Sequence, residues 1–345
     1  MMKSIASLAD RFRKGPADVV GLDIGSSAVK AVRLKRTGSE IQLLGAELLP
    51  ALADLPGIDS GVNTSPTVEL PPRVRSRSVS LAVSGQQAVI KLVSFPGAVG
   101  PELVDRLPES MGIKEPDAYR ISYRIVTEGH GRTESRVLAV ALADETASFV
   151  MEQFASGLPA PYSLEVSGLA SLTTFQHGYG EAYADAAVAM IEFGSAITTL
   201  TIMNRNAVVL IRRFDFGTRS LVARVRESLG VSDETARDIV GDSSFDISET
   251  VSELMAPFVS QFVLSRDFVE RRENCHIERF HVSGGLATSR DVRAGLESAL
   301  DVEITDWDPF RGLTIAPQAL DDDASAVRWR FAAATGAALA TVEES

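Results

Sequence analysis

Two segments of the chain share one pattern of apolar and polar positions. In residues 19–34 an apolar run is broken by Asp23-Ile24-Gly25-Ser26-Ser27 and then returns as a mixed apolar and polar run. In residues 188–202 an apolar run ends at Glu192, Gly194-Ser195 follows, and a β-branched run returns. Short strand-like runs around a small-residue turn predict a β-hairpin in each segment.

The two predicted hairpins are related by a constant offset of 169 residues, which aligns Asp23 with Glu192, Gly25 with Gly194 and Ser26 with Ser195. Internal repeats of this kind indicate duplicated structural units. The repeat therefore predicts two similar domains that face a shared cleft, where a nucleotide would have its phosphates held from both sides.

The turn of the first hairpin has the residue types of a phosphate site. Gly25 has no Cβ and lets a bound group approach the backbone. Ser26 and Ser27 add hydroxyl and N–H groups, and a concavity of N–H groups attracts anions. Asp23 can hold Mg²⁺ through water, and Lys30 can reach back as a point charge. Because Asp-x-Gly-Ser is a short pattern, a plain hairpin with a capped turn is the alternative interpretation.

A third element is the strand at residues 280–283, which runs into Gly284-Gly285 and then a predicted helix at 288–300. Two glycines allow a flat ring or a ribose to approach the backbone. Taken alone, this segment is equally an ordinary strand-to-helix turn. Two phosphate-type hairpins followed by a Gly-Gly loop form a more specific pattern than any one of the three.

On these residues, and on the small-residue run 333–340 near the end, the chain resembles the actin-like ATPase superfamily. Within it, the chain is most similar to the type IV pilus assembly protein PilM family, which is related to the cell-division protein FtsA. The resemblance spans about residues 19–342. It implies an α/β, actin-like (ribonuclease H-like) two-domain fold with a nucleotide cleft and an inserted small α/β subdomain.

The resemblance also implies a division of the chain into successive parts. We expect a flexible leader, a first domain interrupted by the inserted subdomain, a second domain interrupted by a helical subdomain, and a last helix that packs back on the first domain. The leader is 1–17. The first domain comprises 18–93 and 161–186, with the inserted subdomain at 94–160 between them. The second domain comprises 187–217 and 276–323, with the helical subdomain at 218–275 between them, and the last helix is 324–345.

By resemblance, the cofactors are ATP and Mg²⁺. The metal is assigned to Asp23 and Glu192. The role of positioning the attacking water is assigned to Glu165; the alternative interpretation of Glu165 is a carboxylate at the start of a helix, stabilised by the helix dipole. The remaining nucleotide contacts are assigned to Asp23, Gly25, Ser26, Ser27, Lys30, Gly194, Ser195, Gly217, Asp238, Gly284 and Gly285.

Two positions depart from the family pattern. The second acid is usually Asp, and Glu192 is one methylene longer. The helix that usually carries Ala-Glu and then a Lys near the adenosine reads Thr-Ala-Arg-Asp-Ile-Val at 235–240. We therefore expect nucleotide binding, with slow ATP hydrolysis at most.

Composition narrows the classes of partner. A net charge of −12 argues against a nucleic-acid groove and against broad adsorption to anionic lipid. The single cysteine, Cys275, cannot form an internal disulfide, which fits a reducing compartment. Neither a spanning apolar run nor a signal peptide is visible, so we expect a cytoplasmic protein. Residues 1–15 are basic and weakly amphipathic, and a frayed leader is favoured over a docking helix.

The expected function is a cytoplasmic ATP-binding scaffold of a type IV pilus or related secretion machine, peripheral at the inner membrane. In the PilM family the membrane partner is the short cytosolic tail of PilN, held between the first domain and the inserted subdomain. Here that groove would involve strands near 79–95 and the insert. Pilus motor components and further copies of the chain are the other expected partners. The alternatives are a nucleotide-independent adaptor, an FtsA-like cytoskeletal protein and, less favoured, a small-molecule kinase.

Several local predictions concern helices and loops. Pro108 should interrupt a short helix near 101–111, and Pro257 should kink or divide a long helix at 246–272. Residues 50–77 read as a Pro-rich loop, and residues 324–342 as one continuous helix.

Overall fold

The computed structural model describes residues 15–51, 70–86, 88–154, 157–242 and 245–344. Most of the predicted leader and residues 52–69 of the predicted loop lie outside the described residues. The strands are β1 Asp18–Ile24, β2 Val29–Thr37, β3 Glu40–Leu49, β4 Ser78–Val83, β5 Val89–Pro96, β6 Tyr119–Thr127, β7 Glu134–Ala143, β8 Ala160–Val166, β9 Ala187–Phe193, β10 Thr198–Asn204, β11 Ala207–Phe214, β12 Ile277–Gly284, β13 Ile304–Asp306 and β14 Thr314–Ile315.

The α-helices are α1 Leu103–Met111, α2 Asp144–Glu152, α3 Ser167–Tyr179, α4 Thr218–Leu229, α5 Asp233–Asp242, α6 Ser248–Glu273, α7 Arg290–Leu300, α8 Asp322–Ala326 and α9 Ala332–Val342. Single 3₁₀ turns lie at Pro72–Val74, Pro116–Ala118 and Arg328–Phe331.

Two larger sheets repeat one plan. The first sheet has the strand order β14-β3-β2-β1-β4-β8, and the second has the order β11-β10-β9-β12-β13. In each, an antiparallel hairpin (β1–β2 or β9–β10) is extended by parallel strands, β4 and β8 or β12 and β13. Both predicted hairpins are thus confirmed, and the equivalent acids stand at the ends of equivalent strands, β1 and β9.

The central strands are buried on both faces, which is why they read as nearly continuous apolar runs. One face of the second sheet packs on α4, α5, α6 and α7, with Phe258, Phe262 and Phe280 in the shared core. The other face turns toward the first half of the chain, where Met190 and Val188 meet Leu172 and Phe175 of α3. Residues of β9 therefore alternate between the helical side and the side of the cleft.

Helix α9 packs against α3 and the first sheet. A Cβ on Gly336 would overlap the carbonyl oxygen of Ala170, and a Cβ on Gly21 would overlap that of Ala334. The Ala/Gly run therefore permits close approach of α9 to both neighbours. The prediction of one helix over 324–342 is wrong, because α8, a 3₁₀ turn and α9 replace it. Asp321 caps α8 by accepting a bond from the Ala324 N–H (2.8 Å), and the break places Phe331 in the core beside Phe310.

An inserted module, residues 89–152, contains β5, α1, β6, β7 and α2 around a sheet of order β5-β7-β6. The strand–helix–strand–strand–helix order is the predicted one. Because β5 pairs with β7 along its whole length, the module begins at Val89, and the predicted boundary at 93/94 cuts through this strand. Near the end of the predicted second domain, β14 pairs with β3, and Phe310 is buried in the core beside the first sheet. The segment 310–315 therefore belongs structurally to the first half of the chain.

The two prolines do not interrupt their helices. Pro108 lies inside α1, and Pro257 lies inside the 26-residue helix α6. A proline removes one backbone donor, and packing on both sides of it can hold the helix together. In α6 the buried residues extend across the proline; they are Val251, Met255, Phe258 and Phe262. The prediction that Pro257 divides this helix in two is therefore wrong.

Candidate functional site

The structure brings the two predicted turns into direct contact. The hydroxyl of Ser26 donates to the hydroxyl of Ser195 over 2.9 Å, across a sequence separation of 169. This separation equals the repeat offset, so the touching residues are equivalent positions of the two hairpins. Ser27 is exposed beside them. The cleft between the halves is therefore closed at the turns.

The first acid, Asp23, is held on two sides. The Lys30 ammonium lies 3.2 Å from Oδ2, and the Ser167 hydroxyl at the start of α3 donates to Oδ1 over 2.8 Å. Asp23 and Lys30 face each other across the β1–β2 pair, and their side chains are 12% and 13% exposed. A Cβ on Gly25 would lie 2.7 Å from the Lys30 nitrogen, so the glycine leaves room for the lysine to fold over the turn.

The second acid, Glu192, has no hydrogen-bond partner among the described residues. Burial raises its pKa to about 7, and the charge of Asp23 adds to this effect, while Lys30 and Arg213 oppose it. The two predicted metal acids are thus near enough to repel each other. A divalent cation would relieve that repulsion and favour the ionised form of Glu192.

The residues at this position fit Mg²⁺ held partly through water. Mg²⁺ usually keeps several waters and takes one or two carboxylates. In the described part of the chain, no group of three or more His, Cys, Asp and Glu side chains forms a ready metal cage. That Asp23 and Glu192 hold the ion stays a prediction; at this place Mg²⁺ would supply charge neutralisation at the phosphates.

Glu165 lies in one row with Asp23. Asp23 is in register with Ala82 on β4, and Ala82 with Glu165 on β8, so the two acids share one face of the sheet with their Cα atoms about 10 Å apart. Burial raises the pKa of Glu165 to about 7, with a further contribution from Glu344. A carboxylate governed by a helix dipole would have a lowered pKa. At Glu165 the effect of burial on the pKa therefore outweighs the effect of the helix dipole at the start of α3.

The glycines around the second turn are explained by packing within the chain. Gly284 has φ +84°, and its Cβ would overlap the carbonyl oxygen of Phe193; the Gly285 N–H donates to the same oxygen over 2.8 Å. A Cβ on Gly217 would lie 2.5 Å from the Gly194 oxygen. The close approach inferred for a ring or ribose is made here by the neighbouring backbone. Contact of Gly217, Gly284 and Gly285 with a nucleotide stays a prediction.

The start of α4 is used to hold the second turn. The Thr218 and Arg219 N–H groups donate to the carbonyl oxygens of Gly194 and Ser195 at 3.1 and 2.9 Å, and the Gly194 N–H donates to Ile197. These donors are therefore occupied. Asp238 lies on the exposed side of α5, and among the described residues no hydrogen bond or ion pair links it to the turns.

Sequence reasoning missed two cations of the cleft. Arg213 on β11 donates to the carbonyl oxygens of Ser84, Gly85 and Ala88 at 3.2, 2.6 and 2.7 Å, which ties the second sheet to the β4–β5 loop. Burial lowers its pKa. Burial also lowers the pKa of Arg330, just ahead of α9, and Asp23 opposes that shift. Neither arginine lies in a recognisable motif, so only the fold reveals them.

Comparison with known proteins identifies relatives of the whole arrangement. The family model of the type IV pilus assembly protein PilM matches residues 166–342, a little over half of the chain. The solved structure of a PilM-PilN type IV pilus biogenesis complex is similar with a TM-score of 0.77 and 19% identity, covering 95% of this chain and 99% of that chain.

More distant solved structures include a Bacteroides thetaiotaomicron protein with an actin-like ATPase fold (TM-score 0.45, 9% identity, 90% of this chain and 95% of that one). Another is MreB 5 of Spiroplasma citri bound to AMPPNP (TM-score 0.44, 11% identity, 92% and 94%). None of the helices in the described ranges is both long and apolar enough to cross a membrane. The predicted actin-like fold class is confirmed, and the chain belongs to the type IV pilus assembly protein PilM family.

Proposed function

We propose that this chain is an ATP-binding scaffold of a type IV pilus machine, with the phosphates and Mg²⁺ held between the two hairpin turns. The observation that carries the proposal is the contact of Ser26 with Ser195, which places equivalent turns of the repeat face to face above Asp23 and Glu192. Membership of the PilM family supports the pilus role.

The serines of the two turns and the lysine beside them have separate parts in this proposal. The hydroxyl and backbone N–H groups of Ser26, Ser27 and Ser195 donate to phosphate oxygens. The Lys30 ammonium turns from the Asp23 carboxylate to the negative charge of a phosphate. Because the Ser26–Ser195 bond closes the turns, binding requires that they separate. This closure is also what favours the second candidate function, an adaptor of the same fold that works without nucleotide.

Hydrolysis, where it occurs, is slow. Phosphoryl transfer needs positioned phosphates, a metal and an oriented water. Glu165, with a pKa of about 7, is suited to accept a proton near neutral pH, but it lies about 10 Å from Asp23 across two strand spacings. A chain of waters would have to bridge that distance. We therefore expect less than about one turnover per second, near the low end of enzyme rates.

The membrane partner is the cytosolic N-terminal tail of a PilN-like inner-membrane protein, bound between the first sheet and the inserted module. Of the strands near 79–95 predicted to form the groove, β4 is paired on both sides, by β1 and β8, so the free edge of the first sheet is β8, and α2 of the module contacts it. Exposed apolar side chains mark both elements: Phe149 on α2, and Leu158 and Tyr162 at β8. An extended tail can add to such an edge by main-chain hydrogen bonds. The chain would then work as a peripheral cytoplasmic component with motor proteins and further copies of itself.

The nucleotide proposal is tested by thermal unfolding with and without millimolar Mg-ATP. Ligand at about 100 times its dissociation constant stabilises by about 2.7 kcal/mol. Asp23→Ala should abolish the shift. Asp18→Ala is the matched control. Asp18 lies on β1, as Asp23 does, but at the end away from the cleft, where it forms an ion pair with Arg33 of β2 (2.7 Å). A wild-type chain whose melting temperature does not move would favour the nucleotide-independent adaptor.

The tail proposal needs point substitutions rather than removal of the module. Leu142, Ala147 and Val150 of the module belong to the core under the first sheet, so a deletion of the module would expose that core. We expect Tyr162→Asp to abolish binding of a synthetic PilN-like tail peptide, measured by fluorescence anisotropy. Leu264→Asp, at an exposed position of α6, is the control. Equal affinities for both variants would contradict this location.

A further inference from the structure

The 3₁₀ turn Arg328–Phe331 contacts both halves of the molecule. It lies against β2 of the first sheet and β12 of the second. Trp329 packs against the core of the second half, whereas Phe331 is buried in the core beside the first sheet. Arg330 stands between these two aromatic residues and is half-buried. The backbone on either side of Arg330 is therefore held by a different half of the molecule.

The packing of α9 on β1 shows where Arg330 lies along that strand. A Cβ on Gly21 would overlap a carbonyl oxygen in the first turn of α9, and a Cβ on Gly15 would overlap one in its last turn. Helix α9 therefore runs beside β1 in the opposite direction, and the residues just ahead of α9 lie beside the carboxyl end of β1. Asp23 occupies that end of the strand. The electrostatics agree, because the Asp23 carboxylate acts to raise the pKa of Arg330 against the larger effect of burial.

The Arg330 guanidinium forms no hydrogen bond or ion pair with any residue that the structure describes. The Asp23 carboxylate is already engaged, since the Lys30 ammonium lies 3.2 Å from Oδ2 and the Ser167 hydroxyl donates to Oδ1 over 2.8 Å. A cation taken out of water without a partner is costly, and such a group calls for an explanation. A phosphate fits this guanidinium, because two parallel N–H groups of an arginine can donate to two phosphate oxygens.

Two neighbouring arginines show what a structural role looks like in this region. Arg328, in the same 3₁₀ turn, forms an ion pair with Asp308 (3.4 Å) and lies over the ring of Phe310. Arg213 donates to three carbonyl oxygens of the β4–β5 loop. Both guanidinium groups hold parts of the chain together. Arg330 differs from them because its guanidinium is half-buried at the cleft and has no such contact in the described ranges.

We propose that Arg330 binds the terminal phosphate of the nucleotide and so makes the cleft prefer ATP to ADP. The inference rests on the proposed nucleotide function. Asp23 is an acid to which Mg²⁺ is assigned, and in phosphoryl-transfer sites the metal bridges the last two phosphates. A guanidinium beside Asp23 therefore meets that end of the phosphate chain. The same contact gives Arg330 the anionic partner that it lacks in the described chain.

The test is calorimetric titration of the full chain with a non-hydrolysable ATP analogue and with ADP, both in millimolar Mg²⁺. Arg330→Gln should weaken binding of the ATP analogue by about tenfold or more, because it removes a charged hydrogen bond, and should change ADP binding by less than about threefold. Arg330→Lys keeps the charge without the planar fork and should lose less. Arg328→Gln is the matched control. It removes the same charge from the same turn and should leave both affinities within about threefold of the wild type.

Thermal unfolding without nucleotide separates this role from a structural one. Burial disfavours the charged form of Arg330, so Arg330→Gln should melt no lower than the wild type. The inference is overturned if Arg330→Gln leaves the affinity for the ATP analogue unchanged, weakens both ligands equally, or loses no more affinity than Arg328→Gln. A lower melting temperature with unchanged affinities would make Arg330 a structural residue and overturn it as well. A wild-type chain that binds neither ligand would instead refute the proposed nucleotide function, and this inference with it.

Discussion

In the first hairpin the Asp23 carboxylate lies 3.2 Å from the Lys30 ammonium and accepts a hydrogen bond from Ser167. In the second, Glu192 occupies the equivalent strand end without a hydrogen-bond partner in the described ranges, and its pKa is raised to about 7. The cross-strand neighbours explain the difference. Asp23 faces Lys30, whereas Glu192 faces Thr199, so only the first hairpin carries its own cation.

The second hairpin cannot simply copy the first. Thr199 is buried under the start of α3, where a Cβ on Gly168 would lie 2.6 Å from the Thr199 hydroxyl. The next cation in the row is Arg213, one strand farther on, and it is engaged with three carbonyl oxygens of the first half. Equivalent turns therefore have different electrostatics because one of the hairpins is packed against the start of α3.

The largest effect should come from locking the two turns together. In a Cys275→Ser background, Ser26→Cys with Ser195→Cys places two thiols where hydroxyls now lie 2.9 Å apart, close enough for a disulfide after small adjustment. If phosphates enter between the turns, the oxidised protein loses the Mg-ATP melting shift and reduction restores it. Each single variant under the same oxidation is the control. A shift that persists in the crosslinked protein would place the nucleotide elsewhere.

Removing the acids should affect folding stability unequally. Asp23→Ala leaves Lys30 without its ion pair and Arg330 without the nearest opposing charge; the pair is about one-eighth exposed, so we expect a loss of about 2 kcal/mol. Asp18→Ala, which removes the more exposed Arg33 pair on the same strand, should cost less than about 1 kcal/mol. Urea unfolding near neutral pH measures both. Equal losses would mean that the cleft pair contributes no more than a surface pair.

The raised pKa of Glu192 predicts a pH dependence with a definite sign. The folded state holds this proton more tightly than the unfolded state, so the contribution is fully present below about pH 4.5 and is lost as pH rises through about 7. Glu192→Gln should therefore be more stable than the wild type near pH 8, and this advantage should shrink markedly near pH 5. Glu165→Gln should behave alike. Unfolding curves that differ by the same amount at both pH values would contradict the assignment.

The sequence was sufficient to predict the hairpins and their meeting. Small residues in both turns and apolar strands on either side predict local structure, and the offset of 169 residues predicts that equivalent turns oppose each other. The module's element order was also readable, because its strands and helices differ in periodicity. The boundary at Val89 was missed because only pairing with β7 shows to which sheet β5 belongs.

The electrostatics of the site could not be predicted in the same way. Arg213 and Arg330 reach the cleft from segments without a motif, and the state of Glu192 depends on burial by residues far away in the chain. The glycines at 284 and 285 had a second possible cause, close backbone packing, which local sequence does not distinguish from ligand contact. Whether these glycines also contact a nucleotide stays a prediction.

The smallest effect concerns the contact between the two turns. The Ser26–Ser195 hydrogen bond is exposed, so its coupling energy in a double-mutant cycle of Ser26→Ala and Ser195→Ala should be about 0.5 kcal/mol. If Mg-ATP separates the turns, that coupling disappears at saturating nucleotide. The buried pair Ser80 and Thr341, with hydroxyls 2.5 Å apart, is the control and should keep its coupling. A Ser26–Ser195 coupling unchanged by nucleotide would show that the turns stay together, and that the phosphates do not lie between them.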